Sequence, residues 1–218
     1  MRVAVYWTPP AHDPFWALGS SWLGRDAETG SVVPQPDVPD LPALTESPRR
    51  YGFHATLKAP MMLAGSYEAF LEDACALART LKPARLPPLA IRSLDGFAAL
   101  CPTDDAPELA ALAEAVVTKL DHHRLPEAPD KQASRARGRT PAQRAYLGRW
   151  GYPFVLDEWR FHMTLSNTGA ATDRLFTAAL RHFGAVLERE QRVGELAVFV
   201  EPEPGADFHL VTRLALAA

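Results

Sequence analysis

The chain has 218 residues, with 23 Lys and Arg against 26 Asp and Glu and a formal net charge of −3. That near balance argues against a general nucleic-acid binder, which reads basic throughout, and a hydrophobic fraction of 47% excludes a disordered chain. Two cysteines, Cys75 and Cys101, cannot build a disulfide framework, and no apolar run approaches the roughly 20 residues of a membrane span, so a reduced, soluble, cytoplasmic protein is expected.

Twenty prolines and 13 glycines cut the chain into short elements. Val3 to Trp7 predicts a buried strand. Asp13-Pro14 supplies a cap and a first-turn proline for a helix from Pro14 to about Leu23. Residues 25 to 50 carry five prolines and read as an irregular connection. A strand is expected from Tyr51 to Met61. Phe70, Leu71, Ala74, Leu77, Ala78 and Leu81 have helical spacing and predict a helix from about Ser66 to Leu81. A hairpin joins Leu89–Ile91 to Phe97–Leu100 through Asp95-Gly96. A helix follows from about Pro107 to His122, then a basic stretch. The last elements are a strand at Trp159 to Ser166, a helix from about Thr172 to Leu187, and strands near Leu196–Val200 and Phe208–Arg213.

This order contains a repeat: strand, helix, strand, strand runs from 51 to 100 and again from 159 to 213. Leu89 follows His54 by 35 residues and Leu196 follows His162 by 34. Two half-domains on one plan, about 45–105 and about 150–218, facing one another within a single bilobal domain, are the simplest account. With helices segregated from antiparallel sheets, the fold class is α+β.

Each half opens on the same pattern, Phe53-His54-Ala55-Thr56-Leu57 and Phe161-His162-Met163-Thr164-Leu165. Alternation along a strand puts His54 and Thr56 on one face and Phe53, Ala55 and Leu57 on the other. The second strand divides the same way. An imidazole and a hydroxyl thus stand side by side in each half. With an unperturbed pKa near 6.5, one imidazole can take a proton from an attacking water while the other gives one to a leaving oxygen. The threonine hydroxyls can donate to the non-bridging oxygens of a phosphodiester. Strict alternation also puts Lys58 on the His54 face, and Arg160 and Ser166 on the His162 face. Neither face carries an acidic neighbour. This suits a phosphate better than a metal, so no metal or cofactor is expected. His122 and His123 read as helix-dipole partners rather than ligands.

The chain resembles the 2H phosphoesterases, and within them the branch associated with bacterial phosphonate-metabolism operons. The resemblance is carried by Pro48-Arg49-Arg50-Tyr51-Gly52-Phe53-His54-Ala55-Thr56-Leu57-Lys58-Ala59-Pro60, Leu94-Asp95-Gly96-Phe97, Tyr146-Leu147-Gly148-Arg149-Trp150-Gly151-Tyr152-Pro153 and Trp159-Arg160-Phe161-His162-Met163-Thr164-Leu165. It implies a bilobal fold with the two His-x-Thr motifs facing across a cleft, His54, Thr56, His162 and Thr164 as catalytic residues, and hydrolysis of a small cyclic phosphodiester of a sugar or nucleotide. An RNA-end 2′,3′-cyclic phosphodiesterase or 2′,5′ RNA ligase-like enzyme, and a phosphate-binding module without turnover, are the alternatives. The expected partner is a small phosphorylated molecule, with long RNA and a membrane disfavoured and a monomer favoured.

From Lys131 to Leu156 there are six cations (Lys131, Arg135, Arg137, Arg139, Arg144 and Arg149) and no acidic residue. Lys131 to Arg139 reads as solvated loop. Arg144 and Arg149 are the stretch's best candidates for gripping a phosphate, with Tyr152 available for stacking. Lys58 and Arg160 rank above them, and Tyr6 is a lesser candidate for the cleft floor.

Overall fold

Local signals set many element boundaries in the computed structural model, which describes residues 1–217. The first half of the chain forms β1 (Arg2–Trp7), α1 (Pro14–Leu23), α2 (Leu41–Leu44), α3 (Glu46–Tyr51), β2 (Ala55–Met62), α4 (Tyr67–Ala78), β3 (Ala84–Leu86), β4 (Leu89–Leu94), β5 (Phe97–Pro102) and α5 (Pro107–Leu120). The second forms α6 (Pro129–Ala136), α7 (Pro141–Trp150), β6 (Met163–Thr164), α8 (Asp173–Phe183), β7 (Gln191–Val193), β8 (Glu195–Glu201) and β9 (His209–Ala215). Side-chain caps start α1, α4 and α8: the Asp13 carboxylate accepts from Phe15 N at 2.8 Å, Ser66 Oγ from Ala69 N at 3.1 Å, and Thr172 Oγ1 from Leu175 N at 3.3 Å. Asp95 and Gly96 both take positive φ, 49° and 88°, as a two-residue turn between β4 and β5 requires.

Three segments differ from expectation. The proline-rich connection ends in α2 and α3, so Tyr51 closes a helix and the first motif strand begins only at Ala55. The basic stretch is largely helical: α6 begins at Pro129, and α7 begins on a capping box in which Thr140 and Gln143 bond one another's backbone N–H. The strand expected over 159–166 shrinks to Met163–Thr164. Beyond it, Leu165 N still donates to Ala98 O at 2.8 Å, while Ser166 Oγ, not a backbone carbonyl, accepts from Ala98 N at 2.9 Å.

The fold is α+β. Seven antiparallel strands lie in the order β4-β5-β6-β2-β1-β8-β9, beside a two-stranded sheet of β3 and β7. β3 and β7 hold equivalent places in the two repeats and pair across the pseudo-two-fold, Arg85 opposite Arg192. The repeats exchange their hairpins. β2 of the first repeat lies on the side of the sheet with β8 and β9, whereas β6 of the second pairs with β5. The contiguous segments 45–105 and 150–218 are therefore not the spatial halves: β2 and β6 meet at the middle of one sheet, and each outer hairpin falls beyond the opposite motif strand.

Alternation then sorts the residues. Val3, Val5 and Trp7 of β1, Leu57 of β2 and Leu196 and Val198 of β8 join the large core, with Phe70 and Ala74 of α4, Val116 of α5 and Phe183 of α8. Ala4 and Tyr6, Ala197 and Phe199 point to the other face and pack with Phe208 and Tyr51. Helices cover the first face, and the second is left partly open.

Candidate active site

On that open face, Ala55 pairs with Met163 between the antiparallel β2 and β6. Carried one residue either way, this register sets His54 across from Thr164 and Thr56 across from His162. All four side chains line one cleft of about 630 Å³. Tyr6 lies on its floor, stacked on the His54 ring with centroids 3.8 Å apart and planes 22° from parallel. Tyr51, Phe97 and Tyr152 contribute to the walls.

The two histidines are held in the same way. His54 Nδ1 lies 2.9 Å from the Gly52 carbonyl, and His162 Nδ1 lies 2.9 Å from the Arg160 carbonyl. A carbonyl only accepts, so Nδ1 carries the proton in each ring and Nε2 is the bare nitrogen of the neutral imidazole. Gly52 reaches its side of this contact with a φ of 77°, a left-handed backbone that favours glycine, and a Cβ there would lie 2.5 Å from Ala27 Cβ. Thr56 Oγ1 sits 3.2 Å from His54 Nε2, to which its hydroxyl can donate.

Their electrostatic settings differ. Burial pushes the His54 pKa down to about 4, against the Gly52 hydrogen bond, and the nearby His162 adds to the fall. Burial also lowers the His162 pKa, as does the Arg160 charge, while the Arg160 carbonyl and Asp95 act in the opposite direction. Burial raises the Tyr6 phenol well above its ordinary value, which keeps it neutral.

The remaining sequence-selected residues divide. Tyr6 and Tyr152 reach the cleft, and Ser166 lines it. The Ser166 hydroxyl is already engaged, however, accepting from Ala98 N and donating to Asn167 O at 3.1 Å. Lys58 does not face the cleft. Tyr6 pairs with Thr56 but Val5 with Lys58, so Leu57 is an extra residue, and this β-bulge turns Lys58 to the helical face. Its amine there is buried, 3.0 Å from the Asp121 carboxylate and 3.3 Å from the Val117 carbonyl. Arg160 also lies outside the main cleft. It borders a smaller pocket of about 110 Å³ beyond His162, ion-paired to Asp95 at 2.9 Å. Arg144 bonds the Arg139 carbonyl, and Arg149 lies over Trp150 at 4.0 Å with a 3.3 Å contact to Asp121. Neither lines the cleft.

The positive charge at the cleft comes instead from Arg2, Arg124, Lys131 and Arg135, and Glu127 is the one carboxylate among the described residues lining it. Glu127 ties down Lys131 at 3.2 Å and Arg135 at 2.5 Å. Arg124 is held by Asp121 at 2.9 and 3.0 Å, and Arg2 is braced by the fully buried Glu201, which also takes Arg50. Against the effect of burial, Arg124 and Lys58 hold the Asp121 carboxyl below the usual carboxylate range. Lys131 and Arg135 stand four apart on α6, one face of one helix. That pairing was legible once the basic stretch is recognised as helical. Nothing local marks Arg2 or Arg124.

The chain is similar to a solved phosphoesterase, 12% identical with a TM-score of 0.45 over 100% of this chain and 99% of that one. It is also similar to E. coli LigT solved in complex with NADP+, 12% identical with a TM-score of 0.48 over 100% and 98%. Among curated sequences it is 38% identical to the ribose 1,5-bisphosphate phosphokinase PhnN of Janthinobacterium sp. (strain Marseille) over 95% of this chain and 49% of that protein. It is 40% identical to PhnN of Laribacter hongkongensis (strain HLHK9) over 96% and 50%. The chain thus spans about half the length of these curated relatives. A protein-family model described as "Protein of unknown function (DUF1045)" matches residues 56–209, from Thr56 to the start of β9, and on this match over most of its length the chain belongs to the DUF1045 family.

Proposed function

We propose that the chain is a 2H-type phosphoesterase that hydrolyses a small cyclic phosphodiester of a sugar or nucleotide by paired-histidine acid–base catalysis. The observation that carries this reading is the twinned geometry: two imidazoles with Nδ1 tied to a carbonyl two residues back, each with a threonine two residues on, lining one cleft.

The division of labour follows from environment. His54, with a pKa near 4, is neutral at physiological pH and acts as the base. Its Nε2 takes a proton from water as the water oxygen bonds to phosphorus. His162 acts as the acid. An anionic phosphate beside it raises its pKa, so that it enters the reaction protonated and gives that proton to the ester oxygen as the P–O bond breaks. The Thr56 and Thr164 hydroxyls donate to the non-bridging oxygens, where charge accumulates. Proton exchange with water then resets both rings. This scheme draws on no metal: the carboxylate of the cleft, Glu127, is engaged with two cations.

Cations at the rim and a volume of about 630 Å³ suit a small anionic substrate better than long RNA. The relatives' name adds a class, ribose phosphates. The chain matches only about half of those proteins and has no G-x-x-x-x-G-K-[ST] sequence, so their phosphokinase activity is not carried over to it. A role in phosphonate catabolism fits the resemblance and the ribose-phosphate class.

The test is steady-state hydrolysis of ribose and nucleoside cyclic phosphates in EDTA. Turnover should persist with chelator and fall by about 10²–10⁴-fold in His54→Ala and in His162→Ala. Activity abolished by EDTA, or undiminished without either histidine, overturns the reading.

A further inference from the structure

Outside the cleft, Asp73 of α4 meets His122 and His123 on the 3₁₀ turn Asp121–His123 that follows α5. Successive side chains on such a turn point about 120° apart, yet these two rings converge, centroids 4.1 Å apart and planes at 40°. Both present Nε2 to the same carboxylate oxygen: Asp73 Oδ2 lies 3.0 Å from His122 Nε2 and 2.9 Å from His123 Nε2. The other oxygen, Oδ1, accepts no hydrogen bond among the described residues. A helix-dipole role, expected for these histidines from their position, would turn them to the last carbonyls of α5. They turn instead to a third side chain from another helix.

We propose that Asp73, His122 and His123 bind a divalent first-row transition ion, Zn²⁺ foremost. The three donor atoms lie within 4.8 Å of one another. Four-coordinate Zn²⁺, with bonds of about 2.0–2.2 Å to imidazole nitrogen and carboxylate oxygen, sets neighbouring donors about 3.3 Å apart. The two nitrogen–oxygen separations, 3.0 and 2.9 Å, lie within a few tenths of an ångström of that spacing. Two imidazoles and one carboxylate match Zn²⁺, Co²⁺ or Ni²⁺, whereas Mg²⁺ and Ca²⁺ take oxygen ligands.

The site is also held in place. His123 is nearly buried and packs edge-on against Phe70 at 5.5 Å. Its carbonyl accepts from Ala64 N at 2.8 Å, and the Asp121 carbonyl accepts from Arg124 N at 3.0 Å. Asp73 and His122 are more than half exposed, 53% and 59%, so water can complete the coordination. None of the three residues lines the cleft. The ion would pin α4 to the turn from which Arg124 runs to the cleft rim, and its effect falls on stability rather than on the chemical step.

Chelator-stripped protein titrated with Zn²⁺ by calorimetry, and with Co²⁺ by visible absorption, tests this. One ion should bind per chain and raise Tm. His122→Ala and Asp73→Ala, both at exposed positions, should weaken binding at least about tenfold and abolish the Tm shift while melting normally without metal. Binding in His54→Ala and His162→Ala should match the unaltered protein. Unchanged affinity in His122→Ala, or affinity lost in His54→Ala, overturns the assignment.

Discussion

The two motif strands start alike and end differently. Each holds a histidine by its Nδ1 and sets a threonine two residues on, but two residues further along they part. Ser166 continues the alternation and still lines the cleft, whereas Lys58 is turned through the sheet by the bulge at Leu57 and ends buried beside Asp121. The settings of the histidines diverge as well. His54 is stacked on Tyr6, while the His162 ring is 5.8 Å from Phe97 and close to the Arg160–Asp95 pair. A duplicated pattern therefore carries over the paired imidazoles and hydroxyls but not their surroundings, and it is on those surroundings that the proposed division into base and acid rests.

The contrast can be broken or sharpened at three places. The largest effect is expected from the threonines. On the proposed mechanism, Thr56→Val and Thr164→Val each remove a hydroxyl that donates to the phosphoryl oxygens, so kcat should fall about 10²-fold in a cyclic-phosphate assay with KM little changed. Loss in only one of the two would mean that a single strand stabilises the transition state.

Next is Lys58→Met. It removes a buried cation from Asp121, which keeps Arg124 and Arg149, so the cost should be about 2 kcal/mol in a denaturant melt, below that of a fully orphaned buried charge. KM should stay as it was. A KM raised tenfold would put the amine back in the cleft.

The most gradual effect is in pH-dependent stability. His54 stays neutral in the folded protein down to about pH 4, whereas an unfolded histidine protonates near 6.5. Between those values the unfolded state binds more protons, so stability is fully present above about pH 6.5 and declines as pH falls toward 4. The slope reaches at most about 1.4 kcal/mol per pH unit. His54→Gln should flatten it. His162→Gln should flatten it over a narrower range, and equal flattening by both would erase the difference between the two environments.

Much of this was legible along the chain because it depends on neighbours. Asp13-Pro14, Ser66 and Asp95-Gly96 announce their caps and turn locally, and period-two spacing puts each His-x-Thr pair on one face. Thr140-Pro141-Ala142-Gln143 also carries a legible capping box, masked by the density of charge around it. Other features depend on partners far away. The bulge that turns Lys58 aside is defined by its register against β1, and Arg2 and Arg124 reach the cleft through ion pairs with Glu201 and Asp121. The second motif strand is reduced to two residues where the Ser166 hydroxyl, rather than a backbone carbonyl, takes the bond from Ala98 N of β5. No periodicity within 159–166 encodes that.

The first strand of the chain occupies an interior place in the sheet. β1 lies between β2 and β8, with Arg2 paired to both Met62 and Glu201. On a ribosome, β1 and β2 can associate early, but the far edge of β1 stays bare until β8 (Glu195–Glu201) has emerged. Likewise the β4–β5 hairpin forms early and waits some sixty residues for β6. The open edges of β1 and β5 are the points at which a nascent chain of this protein is most prone to pair with the wrong strand. The long sequence separation of these contacts also makes β1–β8 closure a slow step in folding.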